Sequence, residues 1–428
     1  MTRAVCFFAL LLALATAVPA GAGPLWQDTV FGGGPDGQAN AVVSDGLRAC
    51  AGGFVATTTS VLGLLRCYDA RTGGLLWEAR PGAEGHDYEF GPLATDGNRL
   101  FAAALVVRPA SGFDWVVRAH DLRTGELLWE DARDGVGDDE PAGLATAGGR
   151  LFVTGAAGGP DADTDGSFVV RAYDAATGAL LWQDLPGPGG PVNVGFEVAT
   201  AGGRVFAAGR IGQALHVVAY AQDDGRVLWT HDEEPGFPHV DGLVTANGHV
   251  FVAAIADGSL LLRAFDGATG RVLWKDSEAA PPDGAGFYPV FDIGLAADAD
   301  LAVVGRRHWD GTAALVARDA ATGTPLWRND DPRVTLSLEI GAGRVFGASG
   351  ASEFLARAFA LDTGRPVWSA TPDPEGSALA LARSGPLVFV AGVAGPKAGT
   401  FHVAAFDASP RSGLRPVVPN GRRLPITR

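Results

Sequence analysis

Charged residues are sparse in this sequence, and basic ones are outnumbered by acidic ones. They make up 19% of the 428 residues, with 33 Lys and Arg against 48 Asp and Glu, which leaves a net charge of −15. Recognition of nucleic-acid phosphates depends on Lys and Arg, so this composition argues against a nucleic-acid partner. The sequence also has no nucleophile elbow, P-loop or dinucleotide-binding fingerprint, and its eight histidines show no close metal-ligand spacing. No common catalytic motif therefore suggests a reaction.

Long apolar runs are absent after the first 18 residues, which argues against a transmembrane segment. The single run, residues 4–18, follows Arg3 and precedes Ala20-Gly21-Ala22, a small-x-small sequence of the kind that signal peptidase cleaves. It is shorter than the ~20 residues that cross a bilayer, and no Cys directly follows the cleavage site to carry a lipid. We expect residues 1–22 to be a signal peptide and the protein to be exported, to the periplasm or outside the cell, without a lipid anchor.

Glycine and proline, by contrast, are abundant. The chain contains 61 Gly and 27 Pro, while 47% of its residues are apolar. That much Gly and Pro argues against a helical bundle, and the apolar fraction is too high for a disordered chain.

A short motif ending in tryptophan recurs along the chain. Clear copies are RCYDARTGGLLWE (66–78), RAHDLRTGELLWE (118–130) and RAYDAATGALLWQ (171–183). The copies place a tryptophan every 41 to 53 residues, at Trp77, Trp129, Trp182, Trp229, Trp274, Trp327 and Trp368. An eighth, Trp26, stands in PLWQDTV with nothing of the repeat before it. Repeats of this length are typical of folds whose units bury their surfaces against one another.

Each repeat predicts four short β-strands. A hairpin such as LATAGGRLFVTG (144–155) precedes the motif strand, and the short Trp strand follows it. The strands are continuous apolar runs, as expected when both faces of a sheet are buried. The last unit, residues 378–409, lacks its Trp strand, and PLWQDTV can supply it.

We therefore predict an all-β fold, an eight-bladed β-propeller of four-stranded antiparallel blades over residues 23–409. An N-terminal strand would complete the last blade and close the ring, which leaves no open edge between the two chain ends. Residues 410–428 are predicted to form a poorly ordered C-terminal tail.

The pattern AxDxxTGxxLW, in the copies quoted above, resembles the Trp-docking motif of the pyrroloquinoline quinone (PQQ) repeat family. The resemblance covers nearly the whole chain after the predicted signal peptide. It implies an eight-bladed quinoprotein-like propeller in which each motif Trp packs between neighbouring blades. It leaves the activity open, because the family includes quinoprotein alcohol dehydrogenases as well as non-catalytic members such as the outer-membrane assembly propeller.

Residues that the resemblance associates with a quinone enzyme are not recognisable. The sequence has no vicinal Cys-Cys pair and no CxxCH haem motif, and the calcium ligands and catalytic Asp of such enzymes map onto no position. We therefore interpret the protein first as an exported, monomeric, non-catalytic scaffold or binding protein that needs no cofactor. The alternative is a PQQ- and calcium-dependent dehydrogenase that oxidises an alcohol or a sugar.

One segment has the form of a calcium-binding loop. Asp161, Asp163 and Asp165 stand at alternate positions before Gly166, as in the DxDxDG start of such loops. The twelfth position, where a bidentate Glu would bind the ion, is Ala172. Asp165-Gly166 also fits a hairpin turn without any ion, so both interpretations stay open.

Cys50 and Cys67 lie on consecutive predicted strands of the first repeat, in RACAGG and RCYDA. An exported protein permits a disulfide there, which would close a loop of about 17 residues and stabilise the fold by ~3 kcal/mol. Two small buried thiols are the alternative.

An arginine opens five of the motif copies, at Arg66, Arg118, Arg171, Arg263 and Arg357. One position shared by so many units predicts pairing between blades rather than a binding site.

Acidic residues are concentrated in the loops that leave each Trp strand and in those that precede each third strand. In a propeller both sets emerge on one face. A negative face attracts cations or a basic partner, although it also serves as a solvated rim. Aromatic residues there can anchor a ligand or cap the apolar end of a blade. The candidate residues for binding a protein or small-molecule ligand are Glu89, Trp115, His239, Asp241, Asp292 and Trp309.

Overall fold

The computed structural model describes residues 23–82, 87–108, 112–133, 137–158, 166–187, 193–234, 236–278, 290–308, 312–330, 332–334, 336–349, 353–373, 375–395 and 399–409. In these residues 32 strands form eight antiparallel, four-stranded sheets, the blades of a ring. No helix in this part of the chain is long and apolar enough to cross a membrane. The predicted eight-bladed, all-β propeller is confirmed.

Blades 1 to 7 each consist of four consecutive strands, ordered from the axis outwards. Blade 1 contains β2 (Gly37–Ser44), β3 (Arg48–Ala56), β4 (Val61–Asp69) and β5 (Leu75–Ala79), and blade 2 contains β6 (Asp87–Thr95), β7 (Arg99–Arg108), β8 (Gly112–Asp121) and β9 (Leu127–Arg133). Blade 3 contains β10 (Glu140–Ala147), β11 (Arg150–Ala157), β12 (Ser167–Asp174) and β13 (Leu180–Asp184), and blade 4 contains β14 (Val194–Ala201), β15 (Arg204–Ile211), β16 (Ala214–Ala221) and β17 (Val227–Glu233). Blade 5 contains β18 (His239–Ala246), β19 (His249–Ala256), β20 (Ser259–Asp266) and β21 (Val272–Glu278). Blade 6 contains β22 (Val290–Ala297), β23 (Leu301–His308), β24 (Ala313–Asp319) and β25 (Pro325–Asn329), and blade 7 contains β26 (Leu338–Gly341), β27 (Arg344–Ala348), β28 (Phe354–Ala360) and β29 (Pro366–Asp373).

Blade 8 joins the two ends of the chain. It contains β30 (Ser377–Ser384), β31 (Leu387–Val393), β32 (Phe401–Asp407) and, as its outermost strand, β1 (Trp26–Val30). Strand β1 pairs with β32 in antiparallel register, from Trp26 opposite Ala405 to Val30 opposite Phe401. The inner strand β30 in turn contacts β2 of blade 1. The N-terminal strand therefore closes the ring, as its orphan Trp motif predicted.

The antiparallel order gives the ring two different faces. The loop face carries the connections between blades and the hairpins between second and third strands, such as residues 257–258. The turn face carries the hairpins between first and second strands, such as residues 148–149, and the Asp-x-x-Thr-Gly turns between third and fourth strands. Each inner strand runs from the loop face to the turn face.

The apolar core is divided among the blade interfaces. Buried side chains in the described residues form eight clusters, and each cluster joins two adjacent blades. One of them packs Leu65 of blade 1 against Phe90 and Leu100 of blade 2. A single blade has no core of its own, since its two sheet faces are buried only by its neighbours.

The motif tryptophans cross these interfaces. The indole Nε1–H of Trp77 donates to the carbonyl of Leu122 in the next blade at 3.0 Å. The motif Gly125 of that blade lies directly beneath the indole at φ +77°, and a Cβ there would come within 2.6 Å of the ring. The same bond, 2.8–3.2 Å long, is made by Trp26, Trp129, Trp182, Trp229, Trp274 and Trp327. The glycine of the motif is thus required by the turn and by the indole of the preceding blade.

Several motif arginines also cross the interfaces. Arg171 of blade 3 reaches Asp131 of blade 2 at 3.1 Å, and Tyr173 donates to the same carboxylate at 2.8 Å. Arg66 and Tyr68 of blade 1 contact Asp28 of β1 in the same way. The acid stands two residues after the motif Trp in both cases, so a Trp-x-Asp sequence marks this pairing.

Candidate functional site

Acidic side chains dominate the loop face. Two basic residues there are engaged by acids, since Arg133 pairs with Asp139 at 3.0 Å and Arg328 with Asp330 at 2.5 Å. The exposed carboxylates on the described loops and strand ends of this face belong to Asp36, Asp87, Asp138, Glu140, Asp232, Glu234, Asp257, Asp330 and Glu375. The surplus is negative, which favours cations and basic partners over anions.

Acids on the turn face have a local structural use instead. The carboxylate of Asp121 accepts hydrogen bonds from the backbone N–H of Thr124 at 2.8 Å and from its hydroxyl at 2.9 Å. These bonds lower the pKa of Asp121 below its ordinary value. Equivalent bonds hold Asp69, Asp174, Asp266 and Asp319 in their turns. On the loop face, Asp87 and Asp138 accept single hydrogen bonds from backbone N–H groups distant in the chain, those of Val61 at 2.8 Å and Phe113 at 3.1 Å.

Inner strands bring further carboxylates towards the axis. Glu89 on β6 accepts a hydrogen bond from the side-chain amide of Asn40 in blade 1 at 2.9 Å. Burial and the neighbouring Asp138 and Glu89 raise the pKa of Glu140. Burial also raises the pKa of Glu197 on β14 and of Glu339 on β26 to about 7. These positions bear protons more readily than surface carboxylates do.

Sequence reasoning missed Glu197 and Glu339. A signal was present for Glu197, because the aligned inner strands EPAGLATA and HVDGLVTA hold Gly143 and Gly242 where VGFEVATA holds the acid. The fold does not need an acid at a position where other repeats have glycine, and this departure is the signal that could have identified Glu197.

Blade 5 contributes two of the expected ligand residues. The side chain of His239 is 52% exposed, and its Nε2 lies 3.6 Å from Oδ1 of the half-buried Asp241. The imidazole packs edge-on against Phe196 of blade 4, with ring centroids 4.3 Å apart. Burial and the nearby Arg210 lower the pKa of His239, so the ring is neutral at pH 7 and serves as an aromatic surface.

The other expected ligand residues are not brought together at the surface of the described structure. Trp115 is fully buried between blades 2 and 3, so it caps the core and does not meet a ligand at the surface. It lies on a third strand with both faces covered, while Phe113 nearer the loop is 38% exposed. Asp292 lies on β22, but its side chain is outside the described residues, as is the whole of Trp309.

The calcium-loop residues Asp161, Asp163 and Asp165 also lie outside the described residues. Ala172, at the twelfth loop position, is a fully buried residue of β12 opposite Phe152. In the described part of the chain no three His, Cys, Asp or Glu side chains are grouped closely enough to hold a metal ion.

Cys50 and Cys67 stand directly opposite each other on β3 and β4, with Cα atoms 4.1 Å apart, and are joined as a disulfide. Both lie in the core between blades 1 and 2. The disulfide therefore links neighbouring strands within one blade and does not lie on the axis of the ring.

Comparison with known proteins places this architecture in a family. The model of the PQQ_2 family, described as outer membrane protein assembly factor BamB, matches residues 15–159, 166–287 and 261–409. The sequence matches none of the curated proteins.

Similar solved structures have different activities. BamB from Moraxella catarrhalis is 13% identical with a TM-score of 0.54, over 90% of this chain and 99% of that one. Quinohemoprotein alcohol dehydrogenase ADHIIG from Pseudomonas putida HK5 is 14% identical with a TM-score of 0.59, over 90% and 76%. Sqt1 of Saccharomyces cerevisiae is 11% identical with a TM-score of 0.60, over 87% and 96%. Likeness at such low identity shows the fold alone.

Proposed function

Since the chain belongs to the PQQ_2 family, described as outer membrane protein assembly factor BamB, we propose that it is an exported, non-catalytic propeller. Its loop face would bind a positively charged protein or small ligand. The single observation behind this proposal is the contrast between the two faces. The Asp carboxylates of the turn-face motif are held within their own turns, whereas nine carboxylates on the described loops and strand ends of the loop face are exposed.

Export is part of the same proposal. The apolar segment before residue 23 has the composition of a signal peptide. The disulfide between Cys50 and Cys67 is of a kind that persists in oxidising compartments. Expression of the full chain in a bacterial host, followed by fractionation and N-terminal sequencing, tests it. We expect a periplasmic or secreted product that starts at Gly23, and an uncleaved cytoplasmic product would contradict export.

Binding through the loop face is tested with charge-neutralised variants. In the first, Asp87→Asn, Asp138→Asn and Asp330→Asn remove three exposed carboxylates from the loop face. In the matched control, Glu126→Gln, Asp223→Asn and Asp362→Asn remove three exposed carboxylates from the turn face. Calorimetric titration with polylysine at low salt should show several-fold weaker binding only for the first variant. Equal weakening in both would mean that the loop face has no special role.

The quinoprotein alternative draws on the structural likeness to a quinohemoprotein alcohol dehydrogenase. A calcium-held quinone needs several oxygen ligands around one ion, and the described residues contain no suitable group of three. Addition of PQQ and Ca²⁺, with quinone absorbance and dye-linked alcohol oxidation as readouts, tests the alternative. Stoichiometric quinone binding with turnover would replace the scaffold proposal.

A further inference from the structure

Two half-exposed rings, separated by one residue of the chain, lie where blade 5 begins on the loop face. Phe237 is 50% exposed, and the side chain of His239 is 52% exposed. They alternate with the buried Pro238 and Val240. Both rings are therefore open to solvent on the loop face, two residues apart in the chain.

Blade 4 extends this surface. Phe196 contacts His239 across the blade interface, with ring centroids 4.3 Å apart and planes inclined by 62°. The guanidinium of Arg210 lies 5.9 Å from the centre of the Phe196 ring. We call Phe196, Phe237 and His239 the aromatic patch. It spans two blades, and Phe196 also packs against the core between them.

The backbone holds Phe237 outward at a conformational cost. Its φ is +22°, a value that bulky residues rarely adopt. The preceding Gly236 lies against the carboxylate of Asp257, with no room for a Cβ. This contact ties the connection between blades 4 and 5 to the exposed hairpin of blade 5. An apolar ring held in this way on the surface is a feature of contact surfaces.

Acidic side chains flank the patch near Phe237, whereas Arg210 lies beside Phe196. Asp232 near the end of β17, Glu234 just after it and Asp257 in the hairpin of blade 5 are all exposed, and Asp232 also contacts Nδ1 of His216 at 2.7 Å. Aromatic faces attract cationic groups, and nearby carboxylates strengthen that attraction. A partner that covers the patch must therefore offer an apolar contact and positive charge together.

We propose that the aromatic patch is the docking site for an extended peptide segment of a partner protein, in which Arg or Lys alternates with apolar residues. This proposal rests on the proposed function and gives its binding face a location and a partner chemistry. The apolar side chains would cover Phe237 and His239, and the cationic ones would meet Asp232, Glu234 and Asp257. Aromatic anchors surrounded by complementary charge are the usual source of affinity in such contacts.

Three fluorescently labelled peptides test the proposal on the full chain. One alternates Arg with Leu, the second alternates Arg with Ser, and the third alternates Glu with Leu. Fluorescence anisotropy should show the Arg/Leu peptide binding about tenfold more tightly than the Arg/Ser peptide, with negligible binding of the Glu/Leu peptide.

Substitution of the anchor separates the apolar part of binding from the charged part. Phe237→Asn removes the ring, and Asn tolerates a positive φ, so the Tm should be unchanged or higher. This variant should bind the Arg/Leu and Arg/Ser peptides equally. The matched control is Phe31→Asn, which removes a 62% exposed ring elsewhere on the loop face and should keep the tenfold preference.

The outcomes distinguish this proposal from the proposed function. If Phe237→Asn keeps the preference for leucine, the aromatic patch is not the docking site, although an Arg-dependent acidic face would stand. If the Glu/Leu peptide binds as well as the Arg/Leu peptide, or if wild type binds neither Arg peptide, both proposals are wrong.

Discussion

Blade 8 packs against a blade of the same fold on each side, but the contacts at its two interfaces differ. At its junction with blade 1, Trp26 donates to the carbonyl of Ala70 at 3.0 Å and lies over the motif glycine Gly73. Asp28 adds contacts to Arg66 and Tyr68. At its junction with blade 7, Trp368 packs edge-on against Phe406 at 5.8 Å, and in the described part of the chain its indole N–H has no protein acceptor.

The difference follows from the position of the chain ends. In blades 1 to 7 the Asp-x-x-Thr-Gly turn connects the third strand to the fourth and also receives the indole of the preceding blade. In blade 8 the fourth strand comes from the N-terminus, so no turn is needed after β32, and the sequence there is Asp407-Ala408-Ser409. The carbonyl of Ala408, which corresponds to that of Ala70, accepts a hydrogen bond from Nη1 of Arg344 at 2.5 Å and none from the Trp368 indole. Each motif copy in blades 1 to 7 therefore forms the turn between the third and fourth strands of its own blade. It also receives the tryptophan of the preceding blade.

Deletion of residues 24–30 should have the largest effect. It removes the outermost strand of blade 8 and all contacts of Trp26 and Asp28, so the ring no longer closes. We expect no cooperative thermal unfolding near the wild-type Tm by circular dichroism. Deletion of residues 419–428 is the control and should leave the Tm unchanged. Similar melting of the two truncations would mean that β1 does not hold the ring together.

Substitution of Gly73 tests how the motif receives the tryptophan of the preceding blade. Gly73→Ala places a Cβ against the Trp26 indole at φ +71°, and the overlap together with the strained backbone should cost ~2–4 kcal/mol. The free energy of unfolding in urea measures this cost. The matched control is Gly149→Ala in a turn-face hairpin, at φ +73° with no atom within 4 Å of the added Cβ. It carries the backbone strain alone, ~1 kcal/mol, and equal losses at both positions would contradict a role for the indole.

Replacement of the two tryptophans compares the interfaces directly. Trp26→Phe loses the hydrogen bond to Ala70 and leaves that buried carbonyl without its donor, so we expect a loss of ~2 kcal/mol. Trp368→Phe loses packing alone and should cost ~1 kcal/mol or less. Urea unfolding of both variants measures the difference. A larger loss at Trp368 would reverse the ranking of the two interfaces.

The sequence was sufficient for most of the fold because the repeat encodes it several times over. Seven motif copies and the orphan Trp26 were enough to predict the number of blades and the closure by β1. The candidate binding residues were harder to predict, because side-chain exposure depends on neighbouring blades. Trp115 looked like a loop residue but is covered by blade 3. Phe196 was not among the candidates, although it contacts His239 across an interface.

Loss of the acid in β1 should have a smaller effect than loss of its tryptophan. Asp28→Asn removes the charge that Arg66 and Tyr68 share, and the pair is partly exposed, so we expect a loss of ~1 kcal/mol. Asp131→Asn breaks the equivalent contact between blades 2 and 3 and should cost about the same. Chemical denaturation compares the two. A much larger loss for Asp28→Asn would indicate that the closing interface depends on this contact more than an internal one does.

The smallest expected effect is a pH dependence specific to the junction of blades 7 and 8. Burial raises the pKa of Glu339 on β26 from 4.5 to about 7, although Arg383 of blade 8, at 4.0 Å, partly opposes the shift. A carboxyl whose pKa is higher in the folded state stabilises the fold fully below pH 4.5, and this contribution is lost as the pH rises through about 7. Between pH 5 and 8 the wild-type Tm should therefore fall by ~1–3 °C more than that of Glu339→Gln. The difference is small because the side chain is partly exposed and solvent screens its charge. Glu197→Gln, at a buried carboxyl with the same raised pKa in blade 4, is the matched comparison. Parallel Tm profiles for wild type and Glu339→Gln would show that the carboxyl is already ionised in the folded ring at pH 5.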